Sequence, residues 1–433
     1  MDARRTAGFA AGEAQPLTIA QRNLMLALLT MVGFCGAIDR SIISTVLEPI
    51  KHEFGLSDSQ LGMASGLAFA VAHAVVAIPL GMLADRVNRR KLIAVCLVGW
   101  SAMTALCGLG QNFAQLILAR MGVGAGEAGG QAATLSTISD LFPAEKRATA
   151  ISIYYLSGPF GLMFAGGVGG LTAATYGWRA AMLVAAAPGV VLALLLLLVG
   201  KDTPREGSPR LAPRSDAPGL GKALRFIASQ RSLLHLMAAL AIITLVVTGQ
   251  GAFGYAFFMR YHHMDLRELG PLLGVSSGAI GLASILTAGL ISDRLGRRDP
   301  RLRLWVVVAT LVAGTPIVMT SYVIPGPLAL PLYLTHVLLL SVWLGPGIAT
   351  AQNLAQPRIR STVASIVYVV NGLIGFGLGP VVVGALSDGL AAQLGAGSLR
   401  AALLVVTALG FWAALHFHLA TRSLTADLAR AAA

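Results

Sequence analysis

The chain has 433 residues, of which 56% are hydrophobic and only 12% charged, with a mean hydropathy of +0.74. Ordinary soluble domains carry about 25% charged residues, so a soluble globule is excluded and a polytopic membrane protein is expected. Thirty-two Lys and Arg against nineteen Asp and Glu leave a net charge of +13, which has to be placed along the chain before it is read as affinity for a partner.

In chain order, a polar tail (1–23) precedes twelve apolar runs, at 24–46, 61–83, 92–109, 113–138, 149–172, 180–199, 233–259, 269–291, 304–323, 328–351, 362–386 and 399–419. Each is about long enough to cross a bilayer core of ~30 Å as a helix. The expected architecture is all-α: a six-helix bundle over 24–199, a Pro/Arg/Ser-rich linker over 200–232, a second bundle over 233–421 and a tail over 422–433. Turn signals punctuate the runs. Ser57-x-x-Gln60 is a capping box before the second span, Pro143 falls in the fourth–fifth loop and Pro325-Gly326-Pro327 precedes the tenth. Cys35, Cys96 and Cys107 are odd in number and lie in apolar runs, so neither a disulfide frame nor a metal site is expected. The polar first twenty residues do not read as a cleavable signal peptide.

With the N-terminus in the cytoplasm, 25 Lys and Arg fall inside and five outside (Lys51, Arg179, Arg260, Arg267, Arg400), while Arg40 and Arg120 lie within spans. That bias puts both termini in the cytoplasm. It also assigns the basic surplus to topology and anionic headgroups rather than to nucleic acid. An inner, plasma-membrane location in a bacterium is expected.

One basic hairpin occurs twice. Gly81, Asp85, Arg86, Arg89 and Arg90 recur, 208 positions later, as Gly289, Asp293, Arg294, Arg297 and Arg298. A fixed offset of about half the chain signals duplication, and six spans, a linker and six more spans is the layout of two parallel repeats. The chain here resembles the major facilitator superfamily, whose loop signature G-x-L-A-D-R-x-G-R-R-K it matches. Asn88 replaces one glycine that the second copy keeps as Gly296. Asparagine tolerates a left-handed turn almost as glycine does, so the departure is mild.

The closer resemblance is to the spinster branch. It is carried by Asp39-Arg40, AIPLGMLADRVNRRKLIA, ARMGVGAGEAG, SDLFPAEKRATAIS and GLGPVVVGALSD, and is better in the first half. It implies a proton-linked carrier of amphiphilic lipids such as lysophospholipids or sphingoid-base phosphates. Composition and periodicity do not show this, and a carrier of a small organic anion or a drug-efflux carrier stays open. An enzyme is not expected, because no zinc motif, Ser/His/Asp set or phosphate loop occurs in a workable context.

Asp39, Arg40, Arg120 and Glu127 are the ionisable groups at membrane depth. Each would cost roughly 2.5–3.5 kcal/mol at a helix centre, so each should face a partner or water. At 1.5 Å per residue Asp39 lies ~6 Å and Arg120 ~8 Å outward of centre, with Glu127 ~3 Å inward. Asp39 and Arg120 thus match in height, while Arg120 and Glu127 should bracket a site. Asp39 and Glu127 are the expected proton carriers. Arg40 and Arg120 are expected to hold an anionic headgroup or the ionised carboxylates, so that proton, arginine and substrate compete. A structural salt-bridge network is the bland alternative.

The hairpins suggest a latch. Asp85 ends the second span where the eleventh begins near Ser361, and a carboxylate beside a helix N-terminus is stabilised. Arg89 could bridge to it, with Asp293 and Arg147 as the counterpart. Alternatively these charges only stop and orient the helices. Gly124-x-Gly126-x-x-Gly129 fits a dinucleotide fingerprint but lies in an apolar span with no strand before it, so close helix contact is expected instead. Gly158-Pro159-x-Gly161 marks a bendable helix, and His262-His263 should be solvated. His73, Gln131, Tyr154, Tyr368 and Asn371, with Gln250, His336 and Asn353, are secondary cavity candidates. No cofactor beyond protons, no metal and a monomer are expected, with membrane lipids and an amphiphile as partners.

Overall fold

In a computed structural model of the chain, which describes residues 17–84, 86–201, 220–339, 342–356 and 360–432, helices account for nearly all of the described residues and no strand occurs among them. Twelve crossings are built from α1 (Ile19–Thr45), α2 (Asp58–Ala84), α3 (Arg89–Leu109), α4 (Phe113–Leu141), α5 (144–176) and α6 (Trp178–Val199), then α7 (Arg231–Tyr261), α8 (Leu266–Gly296), α9 (Pro300–Val323), α10 (Ala329–Leu339 and Leu344–Asn353), α11 (360–394) and α12 (Ser398–Ala432). An even number of crossings brings α12 back to the side where α1 begins, called here the terminal face. Eight stretches among the described residues are long and apolar enough to cross a bilayer on those criteria alone. α4 is not one of them, because Arg120, Glu127 and a run of glycines dilute its hydropathy.

Local chemistry sets the helix starts. Thr18 with Gln21 and Ser57 with Gln60 form capping boxes for α1 and α2. Asn112 caps α4, and Asp299 caps α9 with Pro300 in its first turn, where a missing N–H costs nothing. Asn88 is not left-handed. At φ −64° its side chain accepts from Lys91 N and caps α3, so the asparagine supplies an N-cap rather than glycine's freedom.

Two element ends differ from expectation. Ten residues near the end of the linker form a helix (Leu220–Ser229), and α12 continues to Ala432. The reason for the second is Asp427, fully buried, whose carboxylate accepts from Ser232 N at the start of α7 and pairs with Arg430.

The halves α1–α6 and α7–α12 meet along α2/α11 and α5/α8. A Cβ on Gly66 would lie 2.8 Å from the Gly377 carbonyl oxygen, and one on Gly270 2.7 Å from that of Gly166. Three π turns, Met63–Leu67 in α2, Ala165–Gly169 in α5 and Asn371–Gly377 in α11, all lie on these seams. Such turns are rare and frequent at functional sites.

Candidate functional site

Arg40, near the end of α1, pairs through Nη1 with Glu127 Oε2 of α4. Gly36, one turn earlier, makes room, since a Cβ there would lie 3.2 Å from that carboxylate. Glu127 is 4% exposed and its Oε1 has no hydrogen bond among the described residues, whereas the Arg40 side chain is 31% exposed. That exposure opens onto two cavities between the halves. A larger one of about 380 Å³ is lined by Arg40, Ser41, Ser44 and Ser65 from one half and by Thr248, Tyr255, Ser277, Tyr333 and His336 from the other. A second, about 270 Å³ and nearer the terminal face, is lined by Arg40, Phe69, His73, Gln131, Tyr368 and Asn371. Arg40 and Phe376 border both.

The sequence-derived candidates therefore separate. His73, Gln131, Tyr368, Asn371 and His336 do line the cavities, and the Tyr368 hydroxyl donates to Gln131 Oε1 across the halves at 3.1 Å. Tyr154 is buried against Gly33 in electrostatic range of Arg40. Gln250 is committed to Thr407 inside the second half, and Asn353 is exposed at the end of α10.

Asp39 and Arg120 do meet at one height, but not as a side-chain pair and not at the cavity. Arg120, 2% exposed, donates through Nη1 to the Asp39 carbonyl oxygen (3.0 Å) and through Nε to that of Ala64 (3.1 Å) in the π turn of α2. Its guanidinium lies over Phe69, 5.6 Å from the ring centre. The Asp39 carboxyl is 1% exposed beside Thr104, without a well-formed hydrogen bond to it or to any other described residue. Residue 39 follows the α1 face turned into its own bundle, residue 40 the face turned to the cavity. One residue of helix is 100° of rotation, which depth alone does not resolve.

At the hairpins, Arg89 pairs with Asp140 of its own half, and Arg90 donates to the Leu197 and Gly200 carbonyls at the end of α6. Arg86, Arg294 and Arg297 are exposed, and a Cβ on Gly81 would meet nothing within 4 Å among the described residues. Asp85 and the side chain of Asp293 lie outside the described residues. The glycines of α4 pack as close-contact residues: Gly124 abuts the Phe69 backbone, and Gly126 and Gly130 abut Trp100.

Sequence reasoning missed a charged clamp at the face away from the termini. Arg260, ending α7, donates to Glu48 (2.7 Å) and to Asp58 (2.9 Å) of the other half. Asp58 also accepts from Lys51 (2.5 Å) and Ser387 (2.6 Å). Asp388, in the last part of α11, accepts from Asp58 N and Ser59 N at the start of α2. A carboxylate on a helix N-terminus is the device expected of Asp85, found here at the other end of the same helix pair. Two signals were available: Asp388 closes GLGPVVVGALSD, and Asp58 follows the capping Ser57. Beside the clamp, Glu53 accepts from Arg179 and Trp178, and these hold its carboxyl below the usual range.

The Major Facilitator Superfamily profile matches residues 29–380. An "MFS-type efflux pump" of Mycolicibacterium smegmatis is 34% identical over 404 residues, covering 93% of each chain. "Protein spinster homolog 1" of Homo sapiens is 28% identical over 392 residues, 85% of this chain and 73% of that protein. The crystal structure of a bacterial homolog of the human lysosomal transporter spinster, inward-facing and unoccupied, superposes with a TM-score of 0.85 at 27% identity, covering 95% of this chain and 99% of that one.

Proposed function

Because the chain belongs to the Major Facilitator Superfamily and is a membrane transporter of that family, we propose that it carries an anionic amphiphile, a lysophospholipid or sphingoid-base phosphate, in exchange with protons by alternating access. The observation that carries this reading is Arg40. Among the described lining residues it is the ionised side chain shared by two cavities whose other polar groups are hydroxyls, amides and imidazoles, and its buried counter-ion Glu127 keeps one oxygen free. An anionic headgroup and a carboxylate compete for one guanidinium, and a proton on Glu127 decides between them. Asp39, buried behind the pair with both oxygens unengaged, is the second proton site. Arg120 fixes the backbone of α1 and α2 around it.

With the terminal face as the cytoplasmic one, the clamp around Arg260 closes the outer side, and the cavities serve cytoplasmic access. When that side closes, Asp85 reaches the start of α11 and Asp293 the start of α5, and Arg89 exchanges Asp140 for the hairpin acid. Asp85→Asn then raises the population open to the cytoplasm, read by cysteine labelling.

Counterflow in proteoliposomes tests the substrate class. Lysophospholipid inside should drive uptake of labelled lysophospholipid, and small organic acids should not. Counterflow with the acids alone would refute the lipid reading. Export of drug-like molecules is the second reading, favoured by the similarity to the mycobacterial efflux pump, and dye efflux from the same vesicles separates the two.

A further inference from the structure

His336 of α10 is 6% exposed and borders the larger cavity. Its Nδ1 lies 2.5 Å from the carbonyl oxygen of Tyr333. A carbonyl can only accept, so Nδ1 carries the hydrogen, and a neutral imidazole then leaves Nε2 as a bare acceptor. No hydrogen bond to Nε2 occurs among the described residues. The ring is held in place. Tyr333 packs on it at 4.4 Å between centroids, donates its own hydroxyl to the Gln250 carbonyl at 3.0 Å, and is wedged between Phe258 and Tyr322. Among the described residues the cavity's other polar side chains are the Arg40 guanidinium and hydroxyls, and no carboxylate lines it; the Ser65, Thr248 and Tyr333 hydroxyls already donate to backbone carbonyls. His336 Nε2 is thus an acceptor on the cavity lining that has no proton of its own and makes no hydrogen bond among the described residues.

We infer that His336 determines specificity by accepting a hydrogen bond from a hydroxyl or amine on the amphiphile whose anionic group sits at Arg40, an inference that rests on the function proposed above. A lysoglycerophospholipid has a free glycerol hydroxyl, and a sphingoid-base phosphate has a hydroxyl and an amine. A fully acylated phospholipid has no such donor on its glycerol. Selection of single-chain lipids then follows from an unsatisfied acceptor as well as from cavity size, because a ligand without the donor buries Nε2 unpaired.

The test is binding to the purified full chain of 1-oleoyl-lysophosphatidate and of its propanediol analogue lacking the 2-hydroxyl. The hydroxyl compound is expected to bind about tenfold tighter, the worth of one hydrogen bond in a buried site. His336→Phe should bring that ratio close to one, and His336→Gln, whose amide oxygen can still accept, should keep part of it. A wild-type ratio near one, or an unchanged ratio in His336→Phe, overturns this inference and leaves the lipid reading standing. If His336→Phe does not fold, the wild-type ratio and His336→Gln decide. Failure of the wild type to bind either lipid removes the lipid reading itself, and this inference with it.

Discussion

At the face away from the termini, Arg260 forks onto two carboxylates from the other half, Lys51 and Ser387 also donate to one of them, Asp58, and the first N–H groups of α2 donate to a third carboxylate, Asp388. Midway through the bundle, a set of similar composition is left incomplete. Both Asp39 oxygens, Glu127 Oε1 and Arg120 Nη2 lack hydrogen bonds among the described residues. A saturated bidentate clamp holds two helices together. An unsaturated buried cluster is expensive unless another species completes it, and in a transporter the species on offer are a proton and a substrate. On the function proposed above, the same residue types serve closure in one place and exchange in the other, and what separates them is how many acceptors are already taken.

The largest expected effect is on the unsaturated set. Arg40→Gln removes the cavity's cation and the partner of Glu127, and should reduce transport by about 100-fold or more, the cost of breaking a buried charge pair. Uptake kinetics on protein of unchanged monodispersity measure this. Loss of less than about tenfold would make the two clusters equivalent. Next, Arg260→Gln leaves Glu48 and Asp58 facing each other without their cation and should favour the state open at the clamp face by roughly 10–100-fold. Spin-label distances between the ends of α2 and α11 would report it, and unchanged distances would make the clamp incidental.

Asp39→Asn keeps shape and burial while removing a titratable group. It should flatten the pH dependence of uptake and leave expression intact, with stability raised by about 1 kcal/mol or unchanged. Retained pH dependence would leave Glu127 as the sole proton site. The smallest effect belongs to Glu53, whose carboxyl is held low by Arg179 and Trp178. A depressed folded value means its contribution is present above the unfolded value of about 4.3 and is lost as pH falls through the folded one. Thermal unfolding of Glu53→Gln should therefore differ slightly from wild type at pH 7 and converge with it in acid.

Much of this was legible in the sequence. The duplicated hairpin and the apolar runs fix twelve helices in two halves, and the cost of charge in a bilayer singles out Asp39, Arg40, Arg120 and Glu127. Helical depth correctly levels Asp39 with Arg120. Rotation about each helix is what sequence spacing left open, because α1 has little amphipathic contrast and so does not announce which face is cavity and which is bundle interior. Hence Arg40 reaches the cavities and Asp39 does not. The clamp was hidden for another reason: Glu48 and Lys51 lie in the short helix Leu47–Phe54 between α1 and α2, and Asp58 and Arg260 at span ends, where charge is ordinary and only the packing of the two halves makes it a contact.

The most direct test of the central claim, that the incomplete cluster exchanges protons for substrate, is proton flux in proteoliposomes carrying an internal pH dye. A lysophosphatidate gradient should drive proton movement through the wild type and none through the Asp39→Asn, Glu127→Gln double variant. Flux of wild-type size through the double variant would contradict the account.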